Sequence, residues 1–216
     1  MKLTEGRSHG WYVTLLLTYG KVAEARAIVG PAEAPVEPFD WSGLASMISQ
    51  FDLAYAAREL TGARAVLDGL MTKLATLPAT SFTLFDPLVR RAQLELTAGK
   101  LDEAGRAISR AQALLSARGD DASHVQQLTV AALAAELCLR GTDTASCAPP
   151  LARANAPIAA SGAMSVDAHV ATLLLAAAAQ PMDRAAMCRE WKWLAPFRTA
   201  PLVFMLDSKR IAKTCR

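Results

Sequence analysis

Three short segments of this chain repeat one pattern at nearly constant spacing, and that repetition restricts the fold more than any other feature. They are Gly20-Lys21-Val22-Ala23-Glu24-Ala25, Thr61-Gly62-Ala63-Arg64-Ala65 and Gly99-Lys100-Leu101-Asp102-Glu103-Ala104. Ala25, Ala63 and Ala104 stand 38 and 41 residues apart, and an aliphatic residue follows each four positions on: Val29, Leu67 and Ile108. Gly20 and Gly99 each precede their alanine by five residues. Gly141 comes 42 residues after Gly99, and Gln180-Pro181 marks a further break 39 residues later. A glycine ends one helix and lets the chain reverse without a Cβ clash. The small alanine lets the second helix approach the first closely, and the aliphatic residue one turn on packs between them. One such hairpin cannot cover its own apolar face, so neighbours must stack on it. The spacing therefore predicts an all-α chain: an α-solenoid of about five stacked antiparallel helical hairpins plus a C-terminal capping helix, forming a single repeat domain over 1–216.

The rest of the sequence is consistent with that reading. Of the 216 residues 52% are apolar and 20% charged, a balance that argues for a packed core and against disorder. Alanine and leucine dominate between the breaks, and both cost little to place in a helix. No strand-like alternation bounded by Asn-Gly or Asp-Gly occurs. Apolar residues at spacings of three and four predict about eleven helices. These are Trp11–Tyr19, Val22–Val29, Leu44–Tyr55, Ala63–Leu74, Phe85–Leu96, Leu101–Leu115, Val125–Leu137, Leu151–Ala160, Val166–Ala179, Pro181–Leu194 and Leu202–Thr214. Asp40 or Ser42, Thr80 or Ser81, and Asp120, Asp121 or Ser123 are placed to cap helix starts. Pro31–Phe39 reads as an extended connector and Thr142–Pro150 as a loop.

The segment Gly99-Lys100-Leu101-Asp102-Glu103-Ala104 resembles the helix-turn-helix junction of the tetratricopeptide repeat, and Gly20–Ala25 is similar to it. The chain departs from the family in unit length, which is about 34 residues in the family. It departs also at Arg91 and Glu95, which stand where apolar residues are expected, and at Pro149-Pro150, which replace a tight turn. A longer variant of the repeat fits better, like the helical arrays appended to bacterial regulators and receptor-like kinases. The resemblance implies binding of a protein or peptide on a concave surface lined by the first helix of each pair. Thr14, Thr18, Gln93 and Thr97 are polar positions on such first helices and are candidates for that groove. A solvated helix face explains them as well, and is the favoured reading.

Four cysteines invite a redox reading. Cys138 lies three residues before Gly141 and Cys147 in the loop beyond it, while Cys188 and Cys215 lie on the last two helices. Pairing within each set would fit an exported or surface-facing segment; buried free thiols are the alternative. No Cys-x-x-Cys or Cys/His spacing points to zinc. His9, His124 and His169 are scattered, and Asp120-Asp121-x-x-His124 reads as a helix start rather than a metal cluster. No glycine-rich phosphate loop and no Gly-x-Ser-x-Gly context is present, so no catalytic, cofactor-binding or metal-binding residue is nominated.

From Arg189 onward seven basic residues face two acidic ones, with Trp191 and Trp193 among them. An acidic partner, nucleic acid or lipid headgroup would fit that run, and so would a capping helix whose tryptophans seal the end of a stack. The net charge of +3 is too small to argue for nucleic acid. No apolar run reaches the ~18–20 residues that span a bilayer, and the N-terminal residues do not form a convincing signal peptide. The expectation is a non-enzymatic scaffold that binds a protein or peptide, or another domain of its parent chain. The compartment is cytoplasmic by default, or extracytoplasmic if the cysteines are bridged and the chain is part of a membrane-anchored protein. A ligand-sensing helical domain and an α-helical enzyme with a site assembled only in three dimensions are the alternatives.

Overall fold

A computed structural model of the chain describes residues 8–30, 41–141, 155–161, 165–179 and 181–216. These carry twelve α-helices: α1 Ser8–Thr18, α2 Val22–Val29, α3 Trp41–Ala56, α4 Leu60–Lys73, α5 Phe85–Thr97, α6 Leu101–Arg118, α7 His124–Arg140, α8 Asn155–Ser161, α9 Val166–Ala178, α10 Arg184–Trp193, α11 Pro201–Met205 and α12 Ser208–Thr214. Every element among the described residues is helical, so the all-α class is the class of the fold.

The chain divides into two compact units. Unit 1 comprises Met1–Ala79 and Phe197–Phe204; unit 2 comprises Thr80–Pro196 and Met205–Arg216. In unit 1, α1 and α2 form one hairpin, α3 and α4 a second, and both α1 and α2 pack on α3. Val13, Leu16, Leu17, Ala25, Leu53 and Ala56 make a core between them. In unit 2, α5 and α6 form a hairpin against α7. The latter also packs on α8 and α9, and α9 pairs with α10. Leu128, Ala131, Ala168 and Ala171 form a core there, with Ile158 of α8 against it.

The turns explain why the repeat is legible. At the α1–α2 turn Gly20 adopts φ +75°. Its N–H donates to the Leu17 carbonyl at 3.1 Å, and the Lys21 N–H donates to Leu16 at 2.8 Å. This pair of bonds satisfies two carbonyls that the helix end would otherwise orphan. Gly99 repeats the arrangement at φ +74°, with its N–H on Leu96 at 3.0 Å and the Lys100 N–H on Glu95 at 2.8 Å. The α3–α4 turn has the same two bonds, Arg58 to Tyr55 at 3.0 Å and Glu59 to Ala54 at 2.9 Å, yet Arg58 holds the left-handed conformation, at φ +64°. Gly62 lies inside α4 instead of at this turn. Five residues after each left-handed position come Ala25, Ala63 and Ala104, all fully buried. A larger side chain there would hold the paired helices apart.

Further along the pattern changes. Ser123 caps α7 through a reciprocal pair with Gln126, while Asp121 ends the short turn Gly119–Asp121 just before it. The α9–α10 turn has no left-handed glycine; Asp183 caps α10 by accepting from the Ala186 N–H at 2.9 Å. Four residues after that cap, where the other hairpins carry alanine, stands buried Met187. The single last helix expected over Leu202–Thr214 is two helices. Asp207 interrupts it, its carboxylate capping α12 through the Arg210 N–H at 3.1 Å.

Candidate functional site

The polar residues nominated for a groove fall in both units. Thr14 and Thr18 lie on α1 of unit 1, and Gln93 and Thr97 on α5 of unit 2. The Thr14 hydroxyl donates to Gly10 at 3.0 Å, Thr18 to Thr14 at 2.8 Å and Thr97 to Gln93 at 2.9 Å, so each hydroxyl proton is committed to its own helix. Gln93 is buried. Cys188 of α10 and Cys215, just past α12, are joined by a disulfide with Cα atoms 5.4 Å apart. Cys138 lies near the end of α7 and Cys147 lies outside the described residues; no described cysteine is a free thiol. His9 is on α1 and His124 begins α7. Among the described residues no three His, Cys, Asp or Glu side chains gather as a metal site would require.

The sequence reads as a turn before Leu202 and a last helix from there, with no site residue between Phe197 and Phe204; this segment joins unit 1. Phe197 meets the Tyr19 ring edge-on at 5.5 Å. The Thr199 hydroxyl donates to the Leu17 carbonyl. Phe204 packs edge-on against Tyr55 at 4.7 Å, and the Arg58 guanidinium lies over the Phe204 ring, 4.6 Å from its centroid. Tyr55 is fully buried and stacked on Phe51 at 5.5 Å. Within the segment Ala200, Leu202 and Val203 are buried. Leu17 and Tyr55 occupy matching places, three residues before the left-handed residue of their hairpins. The available signal was a pair of phenylalanines seven positions apart, bracketing Pro201.

Unit 2 receives Met205–Arg216 through charge. Glu136 on α7 is fully buried. Its Oε1 accepts from Arg140 Nε at 2.7 Å and from the Asp207 N–H at 3.0 Å, and its Oε2 accepts from Arg210 Nη2 at 3.4 Å. Arg140 also donates to the carbonyls of Leu96 (2.5 Å) and Met205, and Arg210 Nη1 donates to Leu139 at 2.8 Å. Burial pushes the Glu136 carboxyl up; the two guanidiniums and the Asp207 amide oppose that. Each member has a partner, which is what a buried charge needs to persist. Leu96 stands three residues before Gly99, the same place as Leu17 in its hairpin. In both units, then, the carbonyl end of a first helix, the negative end of its dipole, receives a donor from another segment. The expected misfit at Glu95 has a related answer: it is buried and paired with Arg91 at 3.3 Å.

A third cluster lies on α9 and α10. His169 Nδ1 is 2.5 Å from Glu190 Oε2, and the Trp193 indole stacks on the imidazole with centroids 3.5 Å apart. Arg189 Nε donates to Glu190 Oε1 at 3.1 Å. Part of the basic-aromatic run thus bonds within unit 2. Two residues from His169, burial raises the carboxyl of partly buried Asp167 to about 6, against a hydrogen bond with Thr129 that lowers it.

Among the described residues no helix is long and apolar enough to cross a membrane. No family model matches the chain, and neither does any curated protein or solved structure.

Proposed function

We propose that this chain is a non-enzymatic scaffold, a tetratricopeptide-like array whose first helices present a surface for a protein or peptide partner. The reading is carried by the recurrence of one turn at residues 20, 58 and 99, each with the same two backbone bonds and each followed five residues later by a fully buried alanine. Each hairpin built to this plan offers a first-helix face, and in repeat proteins such faces serve binding. Tyr12 and Leu15 of α1 and Tyr19 just past its end are exposed by 40%, 40% and 57%, at a spacing that puts them on one side of the helix.

Affinity capture from the native organism's lysate tests the reading, with the wild-type chain and a Tyr12→Ser/Leu15→Ser variant as parallel baits washed at moderate and high salt. One stoichiometric protein held by the wild type at both salt levels and lost from the folded variant is the expected outcome. Retention of nothing specific by the wild type would count against a scaffold.

A further inference from the structure

The ends of α1 and α3 already hold a peptide-like segment, and its chemistry is specific. Residues 80–196 belong to unit 2, Phe197–Phe204 to unit 1 and Met205–Arg216 to unit 2 again, so eight residues leave one unit to dock on the other and then return. Beside buried Ala200, Leu202 and Val203, the groups with directional chemistry are Phe197 on Tyr19, the Thr199 hydroxyl on the Leu17 carbonyl, and Phe204 on Tyr55 and Arg58. We propose that this surface of unit 1 is a recognition site for a protein segment carrying two aromatic residues seven positions apart with a hydroxyl two residues after the first. The chain's own Phe197–Phe204 fills the site as an internal competitor.

The proposal rests on the scaffold reading and gives the chemistry of what the scaffold takes. Arg58 supports it independently. Its two counterparts, Gly20 and Gly99, adopt the left-handed conformation without strain, whereas an arginine there is strained. Such strain persists where the side chain is needed, and binding clamps are a common place for it. Here the guanidinium lies over Phe204. The other half of the Phe204 site is made before any segment arrives, because Tyr55 is anchored by its stack on Phe51 within α3. Both phenylalanines of the segment stay half-buried, while Ala200, Leu202 and Val203 between them are buried. A tethered segment competes at an effective concentration on the order of mM, so a partner in trans meets a largely occupied site.

A fluorescently labelled synthetic peptide with the sequence of residues 196–205 tests this by anisotropy against the wild-type chain and a Phe197→Ala/Phe204→Ala variant. The peptide is expected to bind the variant at least tenfold more tightly than the wild type. Adding Arg58→Ala should weaken that binding about two- to fivefold, and a peptide with both phenylalanines replaced by alanine should not bind. Failure to bind the double variant, with its circular dichroism and melting curve unchanged, would overturn the proposal.

If the variant does not fold, hydrogen exchange on the wild type decides. The Ala200 and Phe204 amides, bonded to Phe197 and Ala200 at 3.0 and 2.9 Å, should exchange at least tenfold faster than amides in the middle of α1 and α3. Equal rates would mean that the segment opens only with the whole unit, and the proposal fails. Absence of peptide binding alongside a captured lysate partner would sink this site while leaving the scaffold reading intact. Absence of both would remove the scaffold reading as well.

Discussion

The two units receive the last twenty residues of the chain in different ways. Unit 1 takes Phe197–Phe204 through aromatic edges, one hydroxyl and a guanidinium over a ring. Unit 2 takes Met205–Arg216 through a buried carboxylate shared by two arginines and through a disulfide. Aromatic contacts of the first kind are worth about 0.5–1.5 kcal/mol each beyond the area they bury, and they are lost one at a time. A buried ion network is lost as a whole, because removing one member leaves the others charged in a poor solvent for charge. The same stretch of chain is therefore held by separable contacts at one end and by a coupled network at the other.

Glu136→Ala should break the fixed end most severely. It leaves Arg140 and Arg210 without their carboxylate, and a loss of about 3–5 kcal/mol is expected by urea denaturation. Reduction of the Cys188–Cys215 bridge, or the double serine variant, comes next. The bridge closes a separation of 27 residues, and losing it should cost about 3–4 kcal/mol. The exchange rate of α12 amides would rise with it while those of α1 stay unchanged.

Asp167 gives unit 2 a pH dependence. Its carboxyl, raised in the folded chain from 3.8 to about 6, binds its proton more tightly folded than unfolded. Its favourable contribution is complete below about pH 3.8 and declines as pH rises to about 6, by roughly 1–2 kcal/mol once partial solvation is allowed for. Asp167→Asn should flatten the melting temperature over that window.

The smallest effects separate the matched turns. Gly99→Ala should cost about 1 kcal/mol, because the left-handed position then carries a Cβ. Arg58→Gly relieves a strain of similar size but forfeits a cation–π contact of about 0.5–1 kcal/mol, so its stability should change by only a few tenths. A change as large as that at Gly99 would show that the two turns are not energetically alike.

Much of the helical plan could be read from the residues alone. Apolar spacing and the isolated glycines located α1 to α7, α9 and α10 to within a few residues, since helix formation depends on local periodicity and on which residues can stop it. The alanines at 25, 63 and 104 were legible as close-approach positions, and burial at all three has that cause. The turn at Arg58 was not legible, because only the surrounding hairpin holds an arginine in a glycine conformation. The break at Asp207 was hidden for a related reason. Periodicity runs through it, and the helix is interrupted where the Asp207 amide bonds Glu136, 71 residues away in sequence.

The candidate site was less legible still. Thr14, Thr18 and Thr97 stood out for polarity on first helices, yet each hydroxyl proton bonds the turn before it. Phe197, Thr199 and Phe204 are unremarkable as a string, and their meaning depends on what Leu17, Tyr19, Tyr55 and Arg58 offer them. By itself the sequence determined the helical class, the rough places of the first three hairpin turns and the small buried positions that follow them, because these follow from interactions within about a turn or a single hairpin. Tertiary structure alone decided the division into two units, the pairing of Glu136 with Arg210 and the docking of the returning segment. Those contacts join residues tens to nearly two hundred positions apart, and no local rule of spacing or propensity encodes such a distance.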